Sequence, residues 1–302
     1  MAAYEAAVIG ATLDGLAAAA VLAQAGVKTA LLERAQPPGG AFREAEIVSG
    51  FTAPVLRHDD ENFPATLIAE LGLSRHGVVV ADLPGSVTIT PEGPFSLPND
   101  PHAAAAAVAA LSPNDAEALA TVRAGLQRAA RRLKPILAGP APRPLDRAGQ
   151  PLRAWLQSFD SVGREFVMSA RELVEIWFEH PRLREHVLME GLAMTGRPAD
   201  EPGTGAILLA RWANGGLLGR GVRAVGGASA LIAALLAAIK EAGGLVRFDA
   251  EVLSIIMSGA RVKGAALTSR EMVDARAVIS ALDVKRTLLT LCDTQRFPPQ
   301  TA

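Results

Sequence analysis

Two glycines and one acid near the start of the sequence have the residue types and spacing of a dinucleotide site. Gly10 and Gly15 enclose a six-residue turn, and Glu33 follows 23 positions after Gly10. A glycine turn at a helix N-terminus presents backbone N–H groups and the positive end of the helix dipole, which together hold a pyrophosphate. The Glu33 carboxylate can accept hydrogen bonds from ribose hydroxyls, and its charge disfavours the 2′-phosphate of NADP.

A strand, a helix and a second strand must position these residues. Residues 6–9 form an apolar run of the length of a buried parallel strand, and residues 16–25 are strong helix formers that end at Gly26. The next apolar run, residues 27–32, ends at Glu33. This order is the βαβ context that the glycine fingerprint requires. A βαβ unit that binds no nucleotide is the alternative.

Thr12 departs from the usual glycine pattern. It stands at the middle position, where a glycine normally lets the phosphate approach the backbone. Its side chain would either crowd the pyrophosphate or donate a hydrogen bond to it. The residues of this turn that we predict to bind the cofactor are Gly10, Ala11, Thr12, Leu13, Asp14 and Gly15, and Gly15 also lets the helix pack closely on the sheet.

The segment after Glu33 resembles the E-R-x-x-x-x-G-G segment of the flavoproteins with two dinucleotide-binding domains. In those proteins the glycine pair lies along the pyrophosphate and ribityl chain of FAD. The resemblance therefore implies FAD as the cofactor, with contacts from Arg34, Gly39, Gly40 and Ala41. Taken alone, residues 37–40 are also typical of an ordinary polar turn.

Several later stretches resemble, in the same order, motifs of the phytoene-desaturase-like FAD-dependent oxidoreductases, in particular the pyridine nucleotide-disulfide oxidoreductase domain-containing subgroup. They are Glu70-Leu71-Gly72-Leu73 with His76-Gly77, Ser169-Ala170-Arg171-Glu172-Leu173 with Trp177-Phe178-Glu179, Pro202-Gly203-Thr204, Gly226-Gly227-Ala228-Ser229-Ala230-Leu231, and Ser280-Ala281-Leu282-Asp283-Val284-Lys285-Arg286-Thr287. The resemblance is collinear from about residue 5 to 294. It implies an α/β fold, with an FAD-binding Rossmann-type (glutathione-reductase-like) domain, a β-meander and a mainly helical substrate insertion.

The family pattern also implies two contacts late in the chain. A helix over residues 228–242 leads to strands at 245–248, 251–257, 261–268 and 272–274, which form the meander. By the resemblance, Val252 contacts the adenine through its backbone. A strand at 277–281 returns to the nucleotide sheet, and Ala281 at its end passes close to the FAD phosphates.

The domain organisation follows from where the βα pattern is lost. We expect a discontinuous FAD-binding domain from residues 1–58 and 216–302, and a mainly helical cap from residues 59–215. Within the cap, Ser112-Pro113 is a typical helix start, and apolar side chains then recur at helical spacing. Residues 135–151 contain five prolines and two glycines, which predict a loop.

The composition is that of a cytoplasmic globular protein. A net charge of −1 provides no basic surface for nucleic acid, and no Cys/His cluster has metal-ligand spacing. We expect the single cysteine, Cys292, to be a small buried apolar residue. We expect Trp155, Trp177 and Trp212 to pack in the core, and the lining of a substrate tunnel is the alternative. No signal peptide or membrane span is recognisable. Peripheral membrane contact and a homo-oligomer stay open.

The residues do not identify a catalytic group. His58-Asp59-Asp60-Glu61 could supply a base or form a solvated loop, and the other histidines are scattered. The family resemblance implies flavin-dependent dehydrogenation, desaturation or isomerisation of an apolar polyene or lipid-like substrate. We expect the family's C-terminal flavin-contacting segment to be missing. The alternatives are therefore a non-catalytic scaffold, or one half of a split flavoenzyme whose partner chain completes the site. A module that binds NAD is disfavoured by the glycine pair after Glu33.

Overall fold

The computed structural model divides the chain into two compact units. The first unit comprises Met1–Val80 and Ala224–Ala302, and the second comprises Ala81–Arg223. The boundaries differ from the expected 58/59 and 215/216, because apolar residues such as Leu71 and Leu73 join the core of the first unit. The residues that the structure describes are 4–54, 63, 65–138, 163–193, 195–213, 218, 222–259 and 261–293.

The first unit contains both strands and helices, whereas most elements of the second unit are helices. The strands are β1 Tyr4–Ile9, β2 Thr29–Leu32, β3 Glu44–Val48, β4 Phe51–Pro54, β5 Val80–Asp82, β6 Gly85–Thr90, β7 Gly93–Pro98, β8 Val222–Ala224, β9 Leu245–Arg247, β10 Val252–Ser258, β11 Arg261–Leu267 and β12 Met272–Ser280. The helices are α1 Leu13–Gln24, α2 Ala65–Glu70, α3 Pro101–Ala109, α4 Pro113–Ala138, α5 Gly163–Val167, α6 Ala170–Trp177, α7 Pro181–Leu192, α8 Gly205–Ala213 and α9 Gly227–Glu241. Short helical turns at Gly40–Phe42, Leu73–His76 and Arg286–Leu291 complete the described elements.

A six-stranded sheet forms the centre of the first unit. Its order is β10-β11-β12-β1-β2-β9, in which β9, β2, β1 and β12 run parallel while β10, β11 and β12 form an antiparallel meander. The first strand of the chain lies inside the sheet, as in a doubly wound Rossmann arrangement. The predicted α/β class, with its nucleotide-type sheet and meander, is confirmed.

Strand β12 belongs to both parts of the sheet. Residues 272–274 pair with β11 in the meander, and the residues from Ala275 onward pair in parallel with β1. The prediction of two separate strands, at 272–274 and 277–281, was therefore wrong. One uninterrupted strand serves both, because it changes neighbour without changing direction.

Helices α1 and α9 pack together on the parallel sheet. Their contacting faces are rich in alanine, which lets the two backbones approach closely. Gly15 makes the closest approach: a Cβ there would lie 2.0 Å from the Gly10 carbonyl oxygen and 3.0 Å from the Ala281 methyl carbon. Any side chain at this position would separate helix α1 from the sheet.

The second unit contains the β6–β7 hairpin and helices α3 to α8, around a core that includes Phe95, Leu97 and Trp212. Ser112 caps α4 as predicted, since its Oγ accepts the Asp115 N–H at 3.2 Å. The predicted apolar face of α4 is buried at Leu119, Leu126 and Leu133, and Val122 and Ala130 pack against the same core. Helix α4 continues through Pro135 to Ala138, so the predicted loop begins later than expected. The remainder of that loop, from residue 139, lies outside the described residues.

Candidate functional site

A cavity of about 120 Å³ lies in the first unit, where strands β1 and β2 end and β10 begins. This is the edge at which open parallel sheets bind their ligands. The cavity is lined by Ile9, Gly10, Thr12, Leu32, Glu33, Arg34, Gly40, Ala250, Glu251, Val252, Leu282 and Arg286.

The Glu33 carboxylate connects the end of β2 to the glycine turn. One oxygen accepts the Ala11 N–H at 2.6 Å, and the other accepts the Ala35 N–H at 3.0 Å. A carboxylate offers about four lone-pair sites, so both oxygens can still accept a hydrogen bond from a ligand hydroxyl. In this arrangement the Ala11 N–H is already bonded to Glu33, which leaves the predicted phosphate contact to its neighbours in the turn.

Gly10 turns the chain from β1 into the loop with a φ of +95°, a conformation that residues with a side chain rarely adopt. Its N–H donates to the Leu32 carbonyl at 2.8 Å, which holds the turn against the end of β2. A Cβ at this position would also lie 2.8 Å from Cδ2 of Leu282. The turn therefore depends on glycine for both conformation and space.

Thr12 is the N-cap of helix α1. Its Oγ1 accepts the Gly15 N–H at 3.1 Å, and its methyl group lies against Gly40, where an added Cβ would be 2.9 Å from Cγ2. The Gly39 N–H donates to the Ala11 carbonyl at 2.7 Å and joins the two loops beside Thr12. The methyl group therefore faces the second glycine segment, and the hydroxyl, although it accepts one bond, can still donate another.

Val252 presents its backbone polar groups to the open edge of the meander. The Thr268 N–H donates to the Glu251 carbonyl at 2.9 Å, which makes Val252 and Leu267 a non-hydrogen-bonded pair of the antiparallel ladder. The N–H and C=O of Val252 consequently point away from β11. Strand β10 is the last strand on this side of the sheet among the described residues, and Val252 lines the cavity.

Three charged side chains surround the outer part of the cavity. Nη1 of Arg34 lies 4.0 Å from Oε1 of Glu251, and Nη2 of Arg286 lies 3.6 Å from the same oxygen. Because these side chains are partly exposed, solvent screens the pairs and the arginines can reorient towards an anion. Two cations thus line the same cavity as the Glu33 carboxylate.

Some of the predicted cofactor residues line the cavity, and others do not. Those that line it are Gly10, Thr12, Glu33, Arg34, Gly40 and Val252. Those that do not line it are Ala11, Leu13, Asp14, Gly15, Gly39, Ala41 and Ala281. The lining residues that we did not predict are Ile9, Leu32, Ala250, Glu251, Leu282 and Arg286. Leu282 and Arg286 both lie in the family-like stretch of residues 280–287 after β12, which was a signal for them.

The size of the cavity limits what it can hold. Drug-sized ligands occupy sites of roughly 300–1,000 Å³, so a cavity of about 120 Å³ accommodates one portion of a dinucleotide. A ribose acceptor, a free backbone edge and a glycine turn fit the adenosine end and adjoining phosphates of FAD.

The other candidate residues have structural roles or lie outside the described part of the chain. His58-Asp59-Asp60-Glu61, Trp155 and residues 294–302 are outside it. His180 caps α7 as expected of a helix terminus, since its Nδ1 accepts the Arg182 N–H at 3.2 Å. Within the described ranges, no group of three His, Cys, Asp or Glu side chains is arranged to hold a metal ion. In the same ranges, no helix is both long enough and apolar enough to cross a bilayer.

The tryptophans and the cysteine that we expected to be buried differ in their exposure to solvent. Trp212 is buried in the core of the second unit, as predicted, while Trp177 packs against that core and stays partly exposed. Cys292 is half-buried rather than buried, and the desolvation that remains raises the pKa of its thiol. A raised pKa keeps the thiol protonated and unreactive at neutral pH.

His186 is fully buried in the second unit. Its Nδ1 lies 2.8 Å from Oγ1 of Thr88, its Nε2 lies 3.1 Å from Oγ of Ser86, and Phe95 packs edge-on against its ring. Burial disfavours the charged ring and lowers its pKa to about 4. Oε2 of Glu190 also lies 3.5 Å from Nε2, so the buried ring and its polar neighbours form part of the core.

Comparison with known proteins shows which family and which relatives this chain resembles. The family described as "Flavin containing amine oxidoreductase" matches residues 15–300 of this chain. The chain is 26% identical to the pyridine nucleotide-disulfide oxidoreductase domain-containing protein 2 of Rattus norvegicus, over 98% of this chain and 56% of that protein. It therefore spans a little over half the length of this curated relative.

Solved structures with low sequence identity share the fold. An oxidoreductase from Methanosarcina mazei superimposes with a TM-score of 0.62 at 18% identity, covering 98% of this chain and 63% of the other. Cyclohexylamine oxidase from Brevibacterium oxydans superimposes with a TM-score of 0.56 at 18% identity, covering 98% and 61%.

Proposed function

Because the chain belongs to the flavin containing amine oxidoreductase family, which confirms the predicted flavoprotein class and FAD as its cofactor, we propose that the cavity binds the adenosine end of FAD. We further propose that the protein is an FAD-dependent dehydrogenase, desaturase or isomerase of an apolar substrate of the polyene or lipid class. When bound, FAD supplies the redox chemistry by accepting a hydride or an electron pair.

One observation carries this proposal: Glu33 and Val252 line the same small cavity from different parts of the chain. Glu33 offers carboxylate oxygens to the ribose hydroxyls. Val252 offers one N–H donor and one C=O acceptor, the pair that an adenine edge requires. Neither residue alone would distinguish a nucleotide from another small polar ligand.

The remaining residues of the site have positioning roles in this proposal. Gly10 and Thr12 hold the start of α1 so that its first N–H groups face the phosphates. Gly40, whose Cα lies beside the Thr12 methyl group, keeps the adjoining loop free of side chains. Arg34 and Arg286 place positive charge around the outer part of the cavity, where it favours the pyrophosphate.

A groove in the second unit supports an apolar substrate. It has a volume of about 590 Å³, within the range of small-molecule sites. Its walls combine apolar and charged side chains, and they include Val122, Leu126, Ile176, Trp177, Leu209, Arg128, Arg132 and Glu165. Such a surface favours a ligand that buries hydrocarbon and also carries a polar or charged group.

A second candidate is a subunit that needs a partner chain to complete its flavin site, or a scaffold without catalysis. One observation favours partner dependence, namely that strand β12 has an edge without a described partner strand.

The visible absorption spectrum of the purified chain tests the proposal. After incubation with FAD and gel filtration, we expect a retained flavin band, and isothermal titration should give a weaker affinity for Glu33→Ala. NAD serves as the matched dinucleotide and should not displace the flavin. A colourless protein after FAD treatment would contradict the proposed site and favour the partner-dependent alternative.

A further inference from the structure

The groove in the second unit that we assign to the substrate runs along helix α4. The residues of α4 that line it extend from Ala118 to Arg132, a length of about 21 Å at the rise of an α-helix. Apolar side chains of Ile176 and Trp177, on α6, and of Leu209, on α8, line it as well. We call this cavity of about 590 Å³ the α4 groove. Its length along the helix suits an extended molecule.

The two halves of the groove wall on α4 differ in polarity. Towards the start of the helix the lining side chains are small or apolar, and Leu126 retains only 3% of its accessible surface. Towards the end of the helix, Arg128 and Arg132 line the groove, one turn apart on the same face. A ligand that lies along α4 therefore meets apolar surface at one end and two guanidinium groups at the other.

The guanidinium of Arg128 lies over a part of the helix that has no side chain. A Cβ on Gly125 would lie 3.7 Å from Nη2 of Arg128, so the arginine side chain leans back over Gly125 towards the start of α4. Gly125 itself lines the groove. The guanidinium thus lies beside the groove wall instead of extending away from it.

The stability of α4 does not explain the two arginines. Within the described ranges, neither Arg128 nor Arg132 forms an ion pair. Like charges four residues apart destabilise a helix. The favourable interaction of a cation with the helix dipole is confined to the last turn, and that turn of α4 comes after Arg132. Both guanidinium groups therefore stay available to an anion.

The charge of the groove favours a ligand with one negative charge. Glu165, on α5, is the one carboxylate among the described residues that line the groove, and it opposes the two arginines. One excess positive charge is left. The helix adds to this excess, because residues 118–138 include five basic and no acidic residues. A protonated amine is disfavoured by the same charges.

We propose that the α4 groove binds an amphiphile with an extended hydrocarbon chain and a terminal carboxylate. This inference rests on the proposed function, because it names the class of substrate for the same groove. The carboxylate lies between Arg128 and Arg132, whose planar guanidinium groups bind carboxylates through paired hydrogen bonds. The hydrocarbon chain lies over Val122 and Leu126 and against Trp177, where its burial favours binding.

Three amphiphiles with the same chain and different head groups test the proposal on the whole purified chain without FAD. They are decanoate, decanol and decylamine, each used below the concentration at which it aggregates. Trp177 lines the groove, so its fluorescence reports occupation, and the change on binding should be lost in Trp177→Phe. We expect decanoate to bind about tenfold more tightly than decanol, and decylamine to bind more weakly than decanol.

Arginine variants with a matched control separate the carboxylate site from the general charge of α4. Arg128→Gln and Arg132→Gln should each weaken decanoate binding about tenfold and leave decanol binding unchanged. Arg131→Gln is the control, because Arg131 is exposed beside Arg132 and does not line the groove. Glu165→Gln should tighten decanoate binding, since it removes the opposing negative charge. The comparison of head groups on the unaltered chain decides even if a variant fails to fold.

Four results would overturn the proposal. Equal affinity for decanoate and decanol would make the groove a site for hydrocarbon alone, and tighter binding of decylamine would assign the head group to Glu165. An equal loss in Arg131→Gln and Arg128→Gln would show that only the general charge of α4 acts. Unchanged Trp177 fluorescence with all three amphiphiles would exclude the groove. FAD retention is measured separately by absorption, so the FAD site and this proposal fail independently.

Discussion

The Glu33 carboxylate accepts a hydrogen bond from the Ala11 N–H at 2.6 Å, across 22 positions of sequence. The bond ties the end of β2 to the glycine turn that follows β1. The same side chain lines the cavity that we assign to FAD. Its second oxygen accepts the Ala35 N–H, so both carboxylate oxygens bond to backbone amides of the turns.

Replacement of Glu33 should weaken FAD binding. Glu33→Ala removes the ribose acceptor and releases the turn, and we expect a loss of about 1–3 kcal/mol in binding free energy, the range for charge-assisted hydrogen bonds. Isothermal titration with FAD measures it. Glu5→Ala is the matched control, since Glu5 also accepts a backbone N–H, from Lys28, but lies at the start of β1 and does not line the cavity. Equal losses in the two variants would remove Glu33 from the site.

The hydroxyl of Thr12 should matter more than its methyl group. Thr12→Ala removes the N-cap of α1 and should lower the free energy of unfolding by about 1 kcal/mol, whereas Thr12→Ser keeps the cap. Because the methyl group faces Gly40, we expect Thr12→Ser to bind FAD as the unaltered chain does. Urea unfolding and FAD titration check the two statements. Tighter binding by the serine variant would show that the methyl group obstructs the phosphates.

His186 should make the second unit less stable as the pH falls. Its pKa is about 4 when folded and about 6.5 when unfolded, so between these values the unfolded chain binds more protons. The stabilisation is complete above about pH 6.5 and is lost progressively towards pH 4. From pH 7 to pH 5 the contribution of this residue falls by roughly 2 kcal/mol.

Urea unfolding at several pH values measures the His186 effect as a difference between variants. His186→Gln should be less stable at pH 7 and lose less stability on acidification than the unaltered chain. His102→Gln is the control, because His102 is exposed on α3. Parallel pH profiles for the unaltered chain and His186→Gln would contradict the prediction.

Asp115 should be a main stabilising residue of the second unit. Its buried carboxylate accepts the Glu179 N–H at 2.7 Å and the His180 N–H at 2.8 Å, and so joins the start of α4 to the segment before α7. Asp115→Ala leaves both donors unpaired and should cost about 1–3 kcal/mol for each one that water cannot reach. The comparison is Asp100→Ala, which removes an exposed cap of α3 and should cost about 1 kcal/mol. Thermal unfolding of both variants measures the two losses of stability. A larger loss in Asp100→Ala than in Asp115→Ala would contradict the prediction.

Local chemistry was sufficient to predict the nucleotide-binding half of the fold. The apolar runs around Gly10 and Glu33, the alanine-rich helix before Gly243 and the Ser112 cap are each contained within a few neighbouring residues. Turn conformation, capping and strand burial depend on such neighbours, and the structure agrees with them. The family resemblance then extended the prediction to the meander and to FAD.

Relationships between distant segments were decided by tertiary packing. The register between Val252 and Leu267 decides that the N–H and C=O of Val252 point outwards. Strand β12 is continuous because β1 and β11 pair with the same strand. Neither register can be derived from one segment, since a shift of one residue reverses which groups face outwards. The neutral state of His186 likewise follows from the hairpin that covers it. The sequence by itself determined the first βαβ unit, the alanine-rich helix before Gly243 and, through the family resemblance, the cofactor class, whereas only the packed structure decided which backbone groups stay available for a ligand.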